Sequence, residues 1–112
     1  MAPLNSDLFN FALKKAKCLK VFLEKMLPGM VYENKGIYFF IRLPGKSYIL
    51  KVSTISILVS KHPCCPVIET SLVNSNGELI AEPALGHNYE EVIVHDNTGD
   101  LLLHLRHVFG QL

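Results

Sequence analysis

Apolar side chains recur at three- and four-residue intervals between Asp7 and Leu27, and lysines occupy much of the remaining circumference. The apolar positions are Leu8, Phe11, Ala12, Leu19, Phe22, Leu23 and Met26. This spacing places them along one stripe of an α-helix. Asn5, Ser6 or Asp7 can cap its first turn, and Pro28-Gly29 stops it. The sequence therefore predicts a long amphipathic helix with well-marked ends.

Four segments after this helix have the composition of β-strands. They run from Met30 to Glu33, Ile37 to Leu43, Ser47 to Val59 and Val67 to Val73. The first three are separated by Asn34-Lys35-Gly36 and Pro44-Gly45-Lys46, which suit hairpin turns. We predict an antiparallel meander of four strands.

The last third of the chain predicts a loop from Ala81 to Asp96, with a short strand at Glu91 to Val94, and then a helix. Asn97 or Thr98 can cap that helix, whose apolar stripe is Leu101, Leu102, Leu105, Val108 and Phe109. The alternative is a hairpin across Asn97-Thr98-Gly99, as in the last strands of a propeller blade. Blades need about 40 to 45 residues each, so the helix is favoured. The predicted fold class is α+β: an N-terminal helix, a four-stranded antiparallel meander and a C-terminal helix.

Composition narrows the class of partner. With 112 residues, 49% hydrophobic and 19% charged, residues 1–112 suit a single domain with one core. A net charge of +1 does not predict nucleic-acid binding, and no apolar run approaches the roughly 20 residues of a membrane span. Three cysteines without Cys-x-x-Cys spacing indicate an intracellular, reducing compartment, cytoplasmic or nuclear.

A proline-bracketed loop, His62-Pro63-Cys64-Cys65-Pro66, precedes the turn Val73-Asn74-Ser75-Asn76-Gly77-Glu78-Leu79-Ile80. The pair resembles the central signature of the ubiquitin-conjugating-enzyme superfamily, in which a Tyr-Pro-x-x-Pro-Pro loop leads to an Asn-Gly-x-Ile-Cys-Leu turn. Val31-Tyr32-Glu33-Asn34 is similar to the family's Val-Phe-Asn-Asp hairpin tip. Asp100-Leu101-Leu102, ending in Val108-Phe109-Gly110, is similar to its Asp-Leu-Leu helix. Within the superfamily the chain looks most like the inactive UEV domains of the ESCRT-I type, and RWD domains share the layout.

The resemblance implies a protein that is not an enzyme. Ile80 stands where the enzymes carry their nucleophilic cysteine, and Ser71-Leu72-Val73 replaces the His-Pro-Asn tripeptide that supports the oxyanion. No cofactor is expected. By the same resemblance, Val31, Tyr32, Glu33 and Asn34 would bind ubiquitin or a ubiquitin-pathway protein such as a conjugating enzyme. The alternative is an RWD-like scaffold domain that assembles a larger complex without ubiquitin.

Cysteines and histidines leave a third hypothesis, a small enzyme or metal protein. Cys64-Cys65 could be reactive, although free cysteines are often buried apolar residues. Cys18, within the first helix, is expected to be a residue of the hydrophobic core. His104 and His107 are neighbours on a helix and could join His62, Cys64 or Cys65 around zinc. No second ligand pair has a diagnostic spacing, so no metal site is predicted.

Overall fold

The computed structural model describes residues 6–54 and 68–112. In the described residues the first element is helix α1 (Ser6–Met26) and the last is helix α2 (Thr98–Gly110). Between them lie strands β1 (Val31–Asn34), β2 (Tyr38–Arg42), β3 (Ile49–Ser53), β4 (Ile68–Val73), β5 (Leu79–Ile80) and β6 (Ile93–His95), with a 3-10 turn at Pro83–Leu85. The predicted α+β layout of helix, antiparallel sheet and helix is confirmed.

The sheet has six strands in the described part of the chain, not the predicted four. Strands β1 to β4 form the expected antiparallel meander. Both β5 and β6 then pair with β4, β5 at Leu72 and Val73 and β6 at Ile68 to Thr70. Strand β5 follows directly on the turn at Asn74 to Gly77 and was not predicted, whereas β6 overlaps the short strand predicted at Glu91 to Val94. They satisfy the backbone groups along the second edge of β4, which a four-stranded sheet would have left exposed.

Register across the sheet aligns the buried side chains in rows. Ile41 is opposite Leu50, and Leu50 is opposite Leu72. All three are completely buried. Since directly paired residues of a sheet point to the same face, this row faces the core. Tyr32 is opposite Ile41 and packs against the same cluster.

Helix α1 packs on the sheet through a narrower face than the sequence pattern predicted. Its buried residues are Ala12, Ala16, Leu19 and Leu23, which recur every three or four positions. Phe11, Phe22 and Met26 belong to the predicted stripe but are 37–43% exposed. Cys18, expected in the core, is exposed as well. The sheet covers one arc of the helix, and these four residues lie beside that arc.

Helix α2 begins as its sequence predicts, and the hairpin alternative is wrong. The side-chain oxygen of Asn97 accepts a hydrogen bond of 2.9 Å from the backbone N–H of Asp100, which caps the helix. Leu101, Leu105 and Val108 are completely buried. The predicted third strand beyond Thr54 and the Pro-x-x-Pro loop lie outside the described residues. No helix in the described ranges is long and apolar enough to cross a membrane.

Candidate functional site

The predicted contact residues lie on β1, at the edge of the sheet, where the chain turns into β2. Strand β1 is the last strand on this side of the sheet. The turn is shaped by Asn34, whose side-chain oxygen accepts a hydrogen bond of 2.8 Å from the backbone N–H of Gly36. Gly36 has φ +90°, a backbone conformation that residues other than glycine rarely adopt. The hairpin tip is therefore held in one shape by its own sequence.

Alternation along β1 separates its residues into two groups. Tyr32 points to the core face, so Val31 and Glu33 belong to the opposite face. Val31 is 61% exposed. Glu33 accepts ion pairs from Lys35 at 2.8 Å and Arg42 at 3.1 Å, and the hydrogen bond from Lys35, followed by that from Arg42, lowers the pKa of its carboxyl group.

Tyr32 anchors the hairpin to the end of α1. Its hydroxyl lies 2.6 Å from the carbonyl oxygen of Leu27 and 3.2 Å from that of Leu23. Carbonyls at the end of a helix lack partners within the helix, so this hydroxyl supplies one. Burial raises the pKa of the phenol to about 12, and the charge of Glu24 adds to this effect. Of the four predicted contact residues, Tyr32 is thus placed to position the others.

The outer face of the hairpin continues from Val31 and Glu33 into an aromatic and basic surface. Its further members are Tyr38, Phe40, Arg42 and Lys51. The rings of Tyr38 and Phe40 lie 5.5 Å apart, and the Lys51 ammonium lies 4.5 Å from the centre of the Tyr38 ring. We call these six residues the hairpin face. The alternation of Tyr38 and Phe40 with the buried Phe39 and Ile41 is the sequence signal that could have revealed it.

Ile80, at the predicted position of the lost nucleophile, lies in β5 opposite Leu72. Its side chain is half-buried and packs against the core. The preceding turn is ordered by Asn74, whose side-chain oxygen accepts from the backbone N–H groups of Asn76 at 2.9 Å and Glu78 at 3.0 Å. Position 80 is therefore occupied by a packing residue.

A second group of chemically active side chains brings together three histidines from separate elements. His87 follows the 3-10 turn, His95 ends β6 and His104 lies in α2. The Nε2 atoms of His87 and His104 are 2.9 Å apart, and the rings of His95 and His104 are 5.0 Å apart. His87 is 1% exposed and His95 6%. We call these residues the histidine cluster.

The sequence pattern pairs His104 with His107 instead. His107 is on the exposed side of α2, and the partners of His104 are 17 and 9 residues away in the chain. The Nε2 atom of His95 lies 2.8 Å from the hydroxyl oxygen of Thr70 on β4. No local pattern signals this cluster, because the pairing of β6 with β4 and the docking of α2 create it.

Burial dominates the electrostatics of the histidine cluster. It lowers the pKa of His87 from 6.5 to about 4, with a smaller contribution from His95. It also lowers the pKa of His104 to about 4, and His87, His95 and His107 add to this effect. For His95 burial again lowers the pKa, while Asp100 and Asp96 oppose the shift. The cluster is therefore neutral at pH 7.

The three rings of the histidine cluster are not arranged as metal ligands. Across residues 6–54 and 68–112, no three His, Cys, Asp or Glu side chains are arranged to hold a metal ion. His62, Cys64 and Cys65, the other members of the predicted zinc alternative, lie outside the described residues. Cys18 is exposed and lies in a shallow groove with Lys17, Val21, Phe22 and Lys25 on the surface of α1.

No protein-family model, curated protein or solved structure matches this chain. Its function is therefore inferred from the fold and from the arrangement of its side chains.

Proposed function

We propose that this chain is a non-catalytic recognition module, similar to UEV domains, that binds ubiquitin or partners a ubiquitin-conjugating enzyme through the hairpin face. The observation that carries the proposal is the exposed edge strand β1, with Val31 61% exposed on the same face of the sheet as the aromatic pair Tyr38 and Phe40. Aromatic residues and arginine dominate the energetics of protein interfaces. The expected partner is a protein with an apolar patch.

The shape of the hairpin also supports recognition. The bond between Tyr32 and Leu27 fixes the strand to α1, and the turn at Asn34 fixes its tip. A surface that is already ordered loses less conformational entropy when a partner binds. Arg42 and Glu33 neutralise each other in part, and Val31, opposite Arg42, is the exposed apolar side chain of β1.

Titration of isotopically labelled protein with ubiquitin, followed by amide chemical shifts, tests the proposal. We expect saturable shifts at residues 31 to 34 and along β2. Val31→Asp should weaken binding at least about tenfold, which corresponds to about 1.4 kcal/mol. Val94→Asp is the matched control, since Val94 is 57% exposed and lies on the short strand β6. The affinity of this variant for ubiquitin should equal that of the unmodified protein.

Three results would contradict ubiquitin recognition at this face. One is the absence of shifts at about 1 mM ubiquitin, where even a contact of about 4 kcal/mol is half saturated. Another is a shift pattern centred away from β1. The third is equal weakening by Val31→Asp and Val94→Asp, which would show a general effect of charge.

A scaffold role of the RWD-like kind is favoured by a separate observation. Helix α1 exposes an apolar strip formed by Phe11, Val21, Phe22 and Met26, each 37–50% exposed. A groove between this helix and the start of α2 is lined by Lys15, Cys18, Leu19, Phe22 and Thr98. Apolar helix surfaces of this kind mediate subunit assembly.

Light scattering of the unmodified protein and of the Phe22→Glu variant tests the scaffold role. A dimer that is lost on substitution supports it, and a monomer in both cases contradicts self-assembly.

A further inference from the structure

The contact between His87 and His104 depends on their protons. Two imidazole Nε2 atoms 2.9 Å apart form a hydrogen bond only if one donates and the other accepts. If both rings were charged, two N–H groups would face each other. The pair therefore requires at least one neutral ring with a free lone pair on Nε2.

Burial decides which ring donates. The Nδ1 atom of His87 is buried and has no hydrogen-bond partner among the described residues. A proton on that atom would be a buried donor without an acceptor, which is costly. The tautomer with the hydrogen on Nε2 avoids this, so His87 donates and His104 accepts. Protonation of either ring then breaks the arrangement, because His87 would gain the unsatisfied donor and His104 would lose its acceptor.

The groups around the pair oppose positive charge on balance. His95 faces the pair from β6, and His107 is on the same helix as His104; both disfavour a charge on His104. Asp96 and Asp100 lie beyond His95 and favour a charge there. Thr70 contacts His95 from β4 through an uncharged hydroxyl. No carboxylate among the described residues is hydrogen-bonded to His87 or His104, so acid weakens the contact and nothing nearby compensates.

We propose that His87, His95 and His104 form an acid-sensitive latch, which in its neutral form holds α2 on the 3-10 turn and β6 and which releases the helix when its histidines are protonated. The latch joins three elements that follow one another in the chain, and α2 has contacts with both of the others. Release would uncover Leu101, Leu105 and Val108, now completely buried.

The direction of the pH effect follows from the lowered pKa values. A histidine in a released, solvated segment has a pKa near 6.5, whereas His87 and His104 in the closed state have pKa values of about 4. At pH values between these two pKa values, the histidines are protonated in the open state and neutral in the closed state. The stabilisation is fully present above about pH 6.5 and is lost as the pH falls towards about 4. A pKa difference of this size changes the equilibrium between the closed and open states by up to roughly 300-fold for one histidine.

Hydrogen exchange of the whole chain, followed by mass spectrometry at about pH 7 and about pH 5 and corrected for intrinsic rates, tests the latch. Local openings are detected this way as loss of protection in one segment. We expect residues 86–110 to lose protection by at least about tenfold relative to α1 and β1 to β3. Uniform loss over the chain would contradict a latch and indicate global unfolding. Unchanged relative protection at pH 5 would contradict it as well.

Two variants separate the latch from a general effect of histidine. His104→Gln keeps a polar side chain but removes the titrating ring, and the acid response of α2 should fall by about one proton. His107→Gln changes an exposed histidine on the same helix, and α2 should still open, at the same or a slightly lower pH, because a charge near His104 is removed. An equal effect of both variants would contradict the latch.

The nitrogen chemical shifts of the imidazole rings report the protonation state of each histidine in the unmodified protein, so this measurement does not depend on how a variant folds. At about pH 5.5, midway in the expected window, molecules with α2 docked should show neutral His87 and His104. A charged ring at either position in the docked state would overturn the proposal.

Discussion

The hydroxyl of Tyr32 donates a hydrogen bond of 2.6 Å to the carbonyl oxygen of Leu27. One atom thus joins the edge strand that carries the proposed binding surface to the end of the helix that packs behind it. The side chain is half-buried and lies on the core face of β1. Truncation of Tyr32 would disturb the position of Val31 as well as any direct contact, so substitution of Val31 is the cleaner test of binding.

Tyr32→Phe should destabilise the fold by about 1 kcal/mol, the usual net value of one hydrogen bond. The ring remains in place, so packing is kept and only the bond to the helix end is lost. Denaturant unfolding of the two proteins measures the difference. Tyr89→Phe is the control, because Tyr89 is 69% exposed, and its effect should stay within about 0.5 kcal/mol. Equal effects would show that the Tyr32 bond contributes nothing.

Alkaline pH should remove the advantage of Tyr32 over phenylalanine. The pKa of Tyr32 is raised to about 12 in the folded protein and is about 10 in an unfolded chain. The unfolded state therefore loses its proton first, so the stabilisation is full below about pH 10 and is lost as the pH rises towards 12. Unfolding free energies of the unmodified protein and Tyr32→Phe, compared from about pH 8 to about pH 11, test this, since the other titrating groups cancel. A constant difference would contradict it.

Asn97→Ala should destabilise the protein by about 1 kcal/mol through loss of the helix cap. The side chain is exposed, and its oxygen accepts from the backbone of Asp100 at 2.9 Å. Asn97→Asp preserves an acceptor in the same place and should stay close to the unmodified protein. Thermal unfolding followed by circular dichroism measures both. A similar loss in the two variants would mean that the amide nitrogen of Asn97, 3.2 Å from the Asp100 carboxylate, matters more than the cap.

Gly77→Ala should cost about 1–2 kcal/mol because Gly77 has φ +83°, where a β-carbon is strained. No atom lies within 4 Å of the position such a carbon would take, so the cost comes from the backbone alone. Gly110→Ala is the matched control: Gly110 also has free space but ends α2 without a positive φ, and alanine there should be neutral or stabilising by up to about 0.5 kcal/mol. Equal unfolding midpoints for the two variants would contradict the assignment of strain.

The sequence was most informative where the physical cause is local. Both helices lie close to their predicted bounds, because Pro28-Gly29 and the cap at Asn97 act within a few residues. Strands β2 to β4 also lie within the segments that composition and turn residues predict, and β1 is shifted by one residue. The resemblance to ubiquitin-conjugating domains, rather than a local pattern, predicts Val31 through Asn34 as contact residues, and the structure places them on an edge strand. Whether they bind ubiquitin stays a prediction.

Tertiary packing determines which surfaces are covered and which residues of separate elements meet. Phe22 and Leu23 are adjacent and equally apolar, yet only Leu23 is buried, because the sheet has room for one arc of α1. Strand β5, which was not predicted, is two residues long and pairs with β4. His87 and His104 meet because helix α2 packs on the 3-10 turn and β6. The helices, the turns and the meander follow from local sequence, since each depends on neighbours in the chain. The covered arc of α1 and the histidine cluster depend on packing between separate elements, which local patterns do not encode.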